Sequence, residues 1–336
     1  MNRATLERHQ VWGYLGALGA GVLAGALWPE AAPGVEQAVW PVLAALLFAT
    51  FTQMRLVEIP RSFQQPRFLL AAVLGNFVLI PVLVLGLTSL VPAQPALVLG
   101  LLLVFLVPCT DWFITFSQLA RGDAVRAASF TPVALLLQLM LLPLYLSLMA
   151  DADVWEIVSW DAVVPALLVL LLPLAAAAAT EVMALRSDYA RGLRRRTAAL
   201  PVPLLGLVIL LVGASHVGPI QENLGLLLWV GLVGVLYLVG VSVLARLLAR
   251  VVRLPTRQGR TLVLSFATRN SFIVLPFALA LPAGWELTAV VIIMQSLVEL
   301  LGMIFFTWFV PERLFPDAPD APDASAAQAP TLSSGP

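Results

Sequence analysis

Two stretches decide the fold: LGLLLVFLVPCTDWFITF, residues 99–116, and TLVLSFATRNSFIVLPFALALP, residues 261–282. Each is an apolar run long enough to enter a membrane, and each is interrupted midway by polar residues. In the first, Pro108, Cys109, Thr110 and Asp111 stand in the gap; in the second, Thr268, Arg269, Asn270 and Ser271. Unwound backbone cannot stay unsatisfied in lipid, so such breaks must be buried in protein or line a wet cavity. They also create new helix ends, whose free N–H groups favour oxygen-bearing or anionic groups. The plainer reading of one break is a prolyl kink at Pro108 with Thr110 or Asp111 capping the next half-helix. Two breaks at matching places argue for a site instead.

The rest of the chain fits a membrane setting. Of 336 residues, 60% are hydrophobic and 11% charged. The mean hydropathy is +0.96. At ~20 residues per span, this length holds about ten helices. The apolar runs fall near 11–28, 37–54, 68–92, 95–120 and 124–149, then 161–184, 198–217, 224–250, 259–281 and 286–310. Eighteen of the nineteen basic residues, all arginines, fall in alternate connections, from Arg3 and Arg8 to Arg313. The other connections hold Glu30, Glu36, Asp151, Asp153, Glu156, Asp161, Glu222 and Glu286. By the positive-inside rule both termini are expected to be cytoplasmic, and the multi-pass protein is expected in the plasma membrane.

Five spans on each side of the central loop place the second set upside down relative to the first, as in many secondary transporters. The expected layout is an all-α integral membrane protein of ten transmembrane helices in two inverted five-helix repeats. The divisions are a cytoplasmic N-terminus, 1–10; a first repeat, 11–149; an external loop, 150–160; a second repeat, 161–315; and a disordered cytoplasmic tail, 316–336. Residues 55–67, mixing arginines with Ile59, Phe63 and two prolines, read as an interfacial connector.

Composition excludes several functions. Zero net charge implies no nucleic-acid partner. Two histidines and the single cysteine, Cys109, cannot build a His/Cys metal cluster. Without lysine there is no Walker-type ATP site, and no ATPase partner is required if a gradient drives transport. No cofactor is expected. An intramembrane enzyme is a poor alternative, because Cys109 has no histidine nearby in sequence to act as its base.

Three ionisable residues lie deep in spans: Asp111, Arg269 and Glu299. Each costs about 2.5 to 3.5 kcal/mol at mid-bilayer, so each needs a partner or a task. Asp111 and Arg269, one at each break, can form a structural pair clipping the broken helices together. Glu299 shares a helical face with Gln295 and Ser296, and a carboxyl group so placed can carry protons or serve as a helix–helix hydrogen bond. Cys109, beside Pro108 at the start of a half-helix, is either packing or a soft ligand for a thiophilic substrate.

Pro108-Cys109-Thr110, the broken ninth span FATRNSFIVLPFALALP and Leu297-Val298-Glu299 resemble the bile acid/sodium symporter superfamily across residues 11–310, and within it the arsenite and antimonite efflux permeases of the arsenical-resistance type. The resemblance implies that the fourth and ninth helices cross at their breaks. It implies a core of spans three to five and eight to ten, and a panel of spans one, two, six and seven. It assigns trivalent metalloid transport to Cys109 and Glu299. The expected substrate-binding set is Cys109, Glu299, Thr110, Asn270 and Ser271, with Glu299 and Asp111 expected in proton coupling. This chain departs from those permeases at Asp111-Trp112 and at Arg269-Asn270-Ser271. A fixed cation at Arg269, where sodium-coupled relatives gather oxygen ligands, makes protons the expected coupling ion. The competing expectation is a sodium- or proton-coupled symporter of an organic anion, with Arg269 on the substrate carboxylate.

Overall fold

The computed structural model describes residues 3–53, 66–110, 112–150, 160–184 and 186–317. Among these residues it is helical, with no strand. The helices are α1 (Arg3–Leu27), α2 (Ala32–Phe51), α3 (Pro66–Thr88), α4 (Pro95–Leu106), α5 (Trp112–Leu119), α6 (Ala124–Met149) and α7 (Trp160–Ala184). They continue with α8 (Asp188–Thr197), α9 (Pro201–Ser215), α10 (Val217–Glu222), α11 (Leu224–Val251), α12 (Thr256–Ala267), α13 (Ser271–Leu279) and α14 (Glu286–Phe309). Asp111, the 55–65 part of the expected connector and the 151–159 part of the expected external loop lie outside the described residues, as does the tail from 318 onward.

Six helical stretches are long and apolar enough to cross a membrane: Pro29–Phe51, Pro66–Thr88, Ala124–Met149, Val164–Ala184, Leu224–Val251 and Glu286–Leu314. Three further apolar helices are shorter, Trp12–Leu27, Pro95–Leu106 and Pro201–Ser215. The runs at 95–120 and 259–281 are not continuous spans because each is split in two, α4 with α5 and α12 with α13. At 1.5 Å per residue, half-helices of 8 to 12 residues reach only part of the way across a bilayer of ~30 Å.

The helices pack in two groups. In one, α9 packs on α1 and α2, and α2 packs on α7. Gly21 and Gly25, one turn apart on α1, meet the backbone of α9: a Cβ at either would lie 2.2 Å from the Leu210 carbonyl oxygen or 2.1 Å from that of Ala214. Only glycine allows that approach. In the other group α14 packs on α4, α11 and α13, with α3, α6 and α12 around them. Apolar side chains such as Leu148, Leu228 and Val251 are largely exposed on the outer surface, where a bilayer would cover them.

Two differences from the sequence expectation concern arginine. Arg191, Arg194 and Arg196, read as loop residues, belong to α8, since arginine is a good helix former and Asp188 stands in the first turn. Arg260, also read as a loop residue, is buried in α12, where it donates to the Phe315 and Arg121 carbonyls and pairs with Asp317 at 2.8 Å. Asp317, which composition placed in the tail, is therefore tied to the helical body.

Candidate functional site

The breaks occur where the sequence denies the helix its bonds. Pro108 has no N–H and pushes Val107 out of the helical region, and Val107 is extended, at φ −110 and ψ 105. In the second break Thr268 is extended, at φ −91 and ψ 132, and the Asn270 side chain caps α13 by accepting from the Ile273 N–H. The two unwound segments then satisfy each other. Pro108 and Arg269 face across an isolated antiparallel bridge, in which the Cys109 N–H donates to the Thr268 carbonyl at 3.0 Å and the Asn270 N–H to that of Val107 at 2.8 Å. The Asn270 side-chain amide also donates to the Thr110 hydroxyl at 3.0 Å.

This exchange releases carbonyls. In an unbroken helix the Phe105 carbonyl would accept from the Cys109 N–H, that of Ser265 from Arg269, and that of Phe266 from Asn270. All three N–H groups go elsewhere: to Thr268, to Glu299 and to Val107. The Arg269 side chain, 2% exposed, takes all three carbonyls. Its Nη1 donates to Phe105 at 3.3 Å; its Nη2 lies 2.9 Å from the Ser265 oxygen, 2.6 Å from that of Phe266 and 2.9 Å from Asn76 Oδ1. The Tyr237 hydroxyl donates to the Phe266 carbonyl as well, its ring stacked on Phe105 and 5.7 Å from the guanidinium carbon.

Asn76 comes from α3, within a π-helical turn, Gly75–Leu79, of the kind often found at functional sites. Its amide nitrogen donates to the Ala72 carbonyl and to the Ser265 hydroxyl, which fixes Oδ1 toward Arg269. Glycine at position 75 leaves room for the Phe266 ring, which a Cβ would approach to 1.8 Å.

Glu299 on α14 is 1% exposed, and its Oε1 accepts the released Arg269 N–H at 2.9 Å. Oε2 has a long 3.4 Å bond from the Gln295 amide nitrogen, while Gln295 Oε1 has no partner among the described residues. Turning that amide over would set Oε1 against Oε2, where a protonated carboxyl could donate to it. The arrangement can thus hold the carboxyl group in either protonation state. Below it the Ser271 and Ser296 hydroxyls lie 2.6 Å apart. Trp112, beyond the first break, meets Phe272 of α13 edge-on and stacks near Tyr14 of α1, so that aromatic side chains join the two helix groups beside the crossing.

The structure thus brings Cys109, Thr110, Arg269, Asn270, Ser271 and Glu299 to one buried crossing. Asp111, expected in proton coupling and in a pair with Arg269, lies outside the described residues. Sequence reasoning missed Asn76 and Tyr237. The signal for Asn76 was present, a lone amide in the apolar run FLLAAVLGNFVLIPVL.

Interrupted helices paired at their breaks, in an all-helical body with membrane-length apolar helices, define a multi-pass membrane transporter. The chain belongs to the sodium bile acid symporter family, whose model matches residues 40–223. The match contains the first break and ends before the second, so Arg269 and Glu299 lie beyond it. A comparison with individually curated proteins finds no match.

Proposed function

We propose that the chain is a secondary transporter exporting trivalent metalloid, arsenite or antimonite, by proton antiport. The reading takes the chain as ten spans in two inverted five-helix repeats, α4–α5 and α12–α13 being the fourth and ninth, with both termini cytoplasmic in the plasma membrane. One observation carries it. The amide of Cys109 is bonded to Thr268 and the carboxyl of Glu299 to the next residue, Arg269, so a soft ligand and a proton-bearing group are fixed to adjacent residues of one break.

In this reading neutral arsenous acid reaches the crossing from the cytoplasm. It either binds beside the thiol or condenses with it, the thiol proton leaving with one hydroxyl as water and an As–S bond replacing an As–O bond. Reversal on the other side releases the acid. Glu299 takes or gives the exchanged proton, and Thr110, Asn270 and Ser271 supply oxygen and amide contacts. Rocking of the α1, α2, α7 and α9 group against the rest switches access.

A second reading, a sodium- or proton-coupled symporter of an organic anion, has its own support: the family name, and an Arg269 Nε without an acceptor among the described residues. Against it, the other guanidinium nitrogens are already engaged. Uptake into inverted vesicles separates the two. Arsenite or antimonite accumulation driven by a pH gradient and indifferent to exchange of sodium for potassium is the expected result. Sodium-dependent movement of an organic anion without metalloid flux would install the second reading.

A further inference from the structure

The Arg269 cage has a feature that an ordinary buried arginine lacks. Nη2 has two protons but three oxygens within 2.9 Å, those of Asn76, Ser265 and Phe266, while Nε has no acceptor among the described residues. A side chain placed only to make hydrogen bonds would spread its donors over its acceptors. Here the oxygens converge on one point, as they do around an ion. Their origin explains the convergence. Two of the three are carbonyls released at the C-terminal end of α12, and the Phe105 carbonyl on Nη1 is released at the end of α4. Each helix end carries a partial negative charge of roughly half a unit. Such unwound carbonyls and half-helix C-termini are where transporters hold coupling cations.

The family name implies sodium, and these oxygens are of the chemistry that sodium takes. The residues present nevertheless do not fit the ion, because the point that the oxygens surround is filled by a guanidinium nitrogen of the chain itself. We infer that Arg269 is a tethered replacement for a coupling cation: the crossing requires a positive charge among these oxygens, the chain provides it covalently, and the protein is thereby independent of sodium. This rests on the reading of the crossing as the transport site and deepens it, since it states why sodium takes no part. Removing the side chain while keeping Asn76, Ser265 and Phe266 should then create a site for an alkali cation.

The test is thermal unfolding of the purified full-length protein in detergent, with sodium or potassium chloride replaced by choline chloride at constant ionic strength, so that screening is the same throughout. The wild type should show no saturable response to either ion. Arg269→Ala should melt lower in choline and recover saturably with sodium or potassium, by about 2 °C once the ion reaches about ten times its Kd. Arg269→Lys, which retains a tethered ammonium, should not respond. A saturable sodium or potassium response in the wild type, or none in Arg269→Ala, would overturn the inference. If Arg269→Ala cannot be purified, Arg269→Gln is titrated by the same criterion, and the wild-type arm decides independently. No arm uses metalloid or a proton gradient, so failure here is distinct from failure of the transport reading.

Discussion

Replacing Glu299 by glutamine and by alanine separates its structural task from its chemical one. The Arg269 N–H has lost its helical acceptor and depends on Glu299 Oε1 at 2.9 Å. Glutamine keeps an oxygen of the same reach, so the bond is little changed where the carboxyl is protonated, and where it is ionised goes from a charged acceptor, worth ~1.5 to 3 kcal/mol, to a neutral one worth ~0.5 to 1.5 kcal/mol. The expected loss is at most about 1 to 1.5 kcal/mol. Alanine removes the acceptor, leaving a buried N–H unpaired at ~1 to 3 kcal/mol, and removes packed side-chain atoms that add a cavity cost. About 3 kcal/mol or more should be lost in total. In thermal unfolding Glu299→Gln should therefore melt only a few degrees below wild type and Glu299→Ala markedly lower. In vesicles Glu299→Gln, although folded, should lose transport driven by a pH gradient, because the amide holds the same contacts but exchanges no proton. Equal stability of the two variants would refute the backbone role assigned to Oε1. Wild-type pH-driven flux in Glu299→Gln would remove the carboxyl from coupling.

Cys109→Ser should fold and insert normally yet lose metalloid transport, since serine keeps the volume but not the soft ligand; full transport in purified Cys109→Ser would leave the thiol with packing alone. Gly75→Ala should lower the melting temperature by an overpacking cost of about 1 to 3 kcal/mol, because its Cβ would meet the Phe266 ring whose carbonyl Arg269 holds. An unchanged melting temperature would show that the ring yields freely.

The sequence revealed the crossing through what was out of place in it. Polar residues inside apolar runs stand out by hydropathy alone, so both breaks and Glu299 were legible, as were the long apolar helices. The partners of Arg269 were not. Which carbonyls a break releases depends on which N–H groups the opposite break captures, and that depends on the register of Pro108 against Arg269 across 161 residues of chain. Hydropathy also cannot see Tyr237, an amphipathic ring that reads as one more apolar residue in VLYLVG. Arg260 was misread for a related reason: arginine near the end of an apolar run normally marks a loop, but here the carbonyls of Arg121 and Phe315 and the Asp317 carboxylate allow it to be buried.

The sequence suggested Asp111 as the partner of Arg269; the structure puts Asn76 in contact with it, and a double-mutant cycle measures that contact. The bond from Nη2 to Asn76 Oδ1, at 2.9 Å, is charge-assisted and buried, so Asn76→Ala should cost ~1.5 to 3 kcal/mol for it and ~1 kcal/mol more for the bonds from Nδ2. Arg269→Gln strands the same oxygen together with the released carbonyls. In the double variant the Asn76 oxygen is no longer there to be stranded, so the two losses should fall short of their sum by about 1 to 3 kcal/mol. The parallel cycle of Asp111→Asn with Arg269→Gln supplies the comparison. If Asn76 fixes the guanidinium, the first cycle couples more strongly in thermal stability than the second. Coupling below ~0.5 kcal/mol between Asn76 and Arg269, beside strong coupling to Asp111, would mean that the charge pair governs the crossing and that the oxygen cage follows from it.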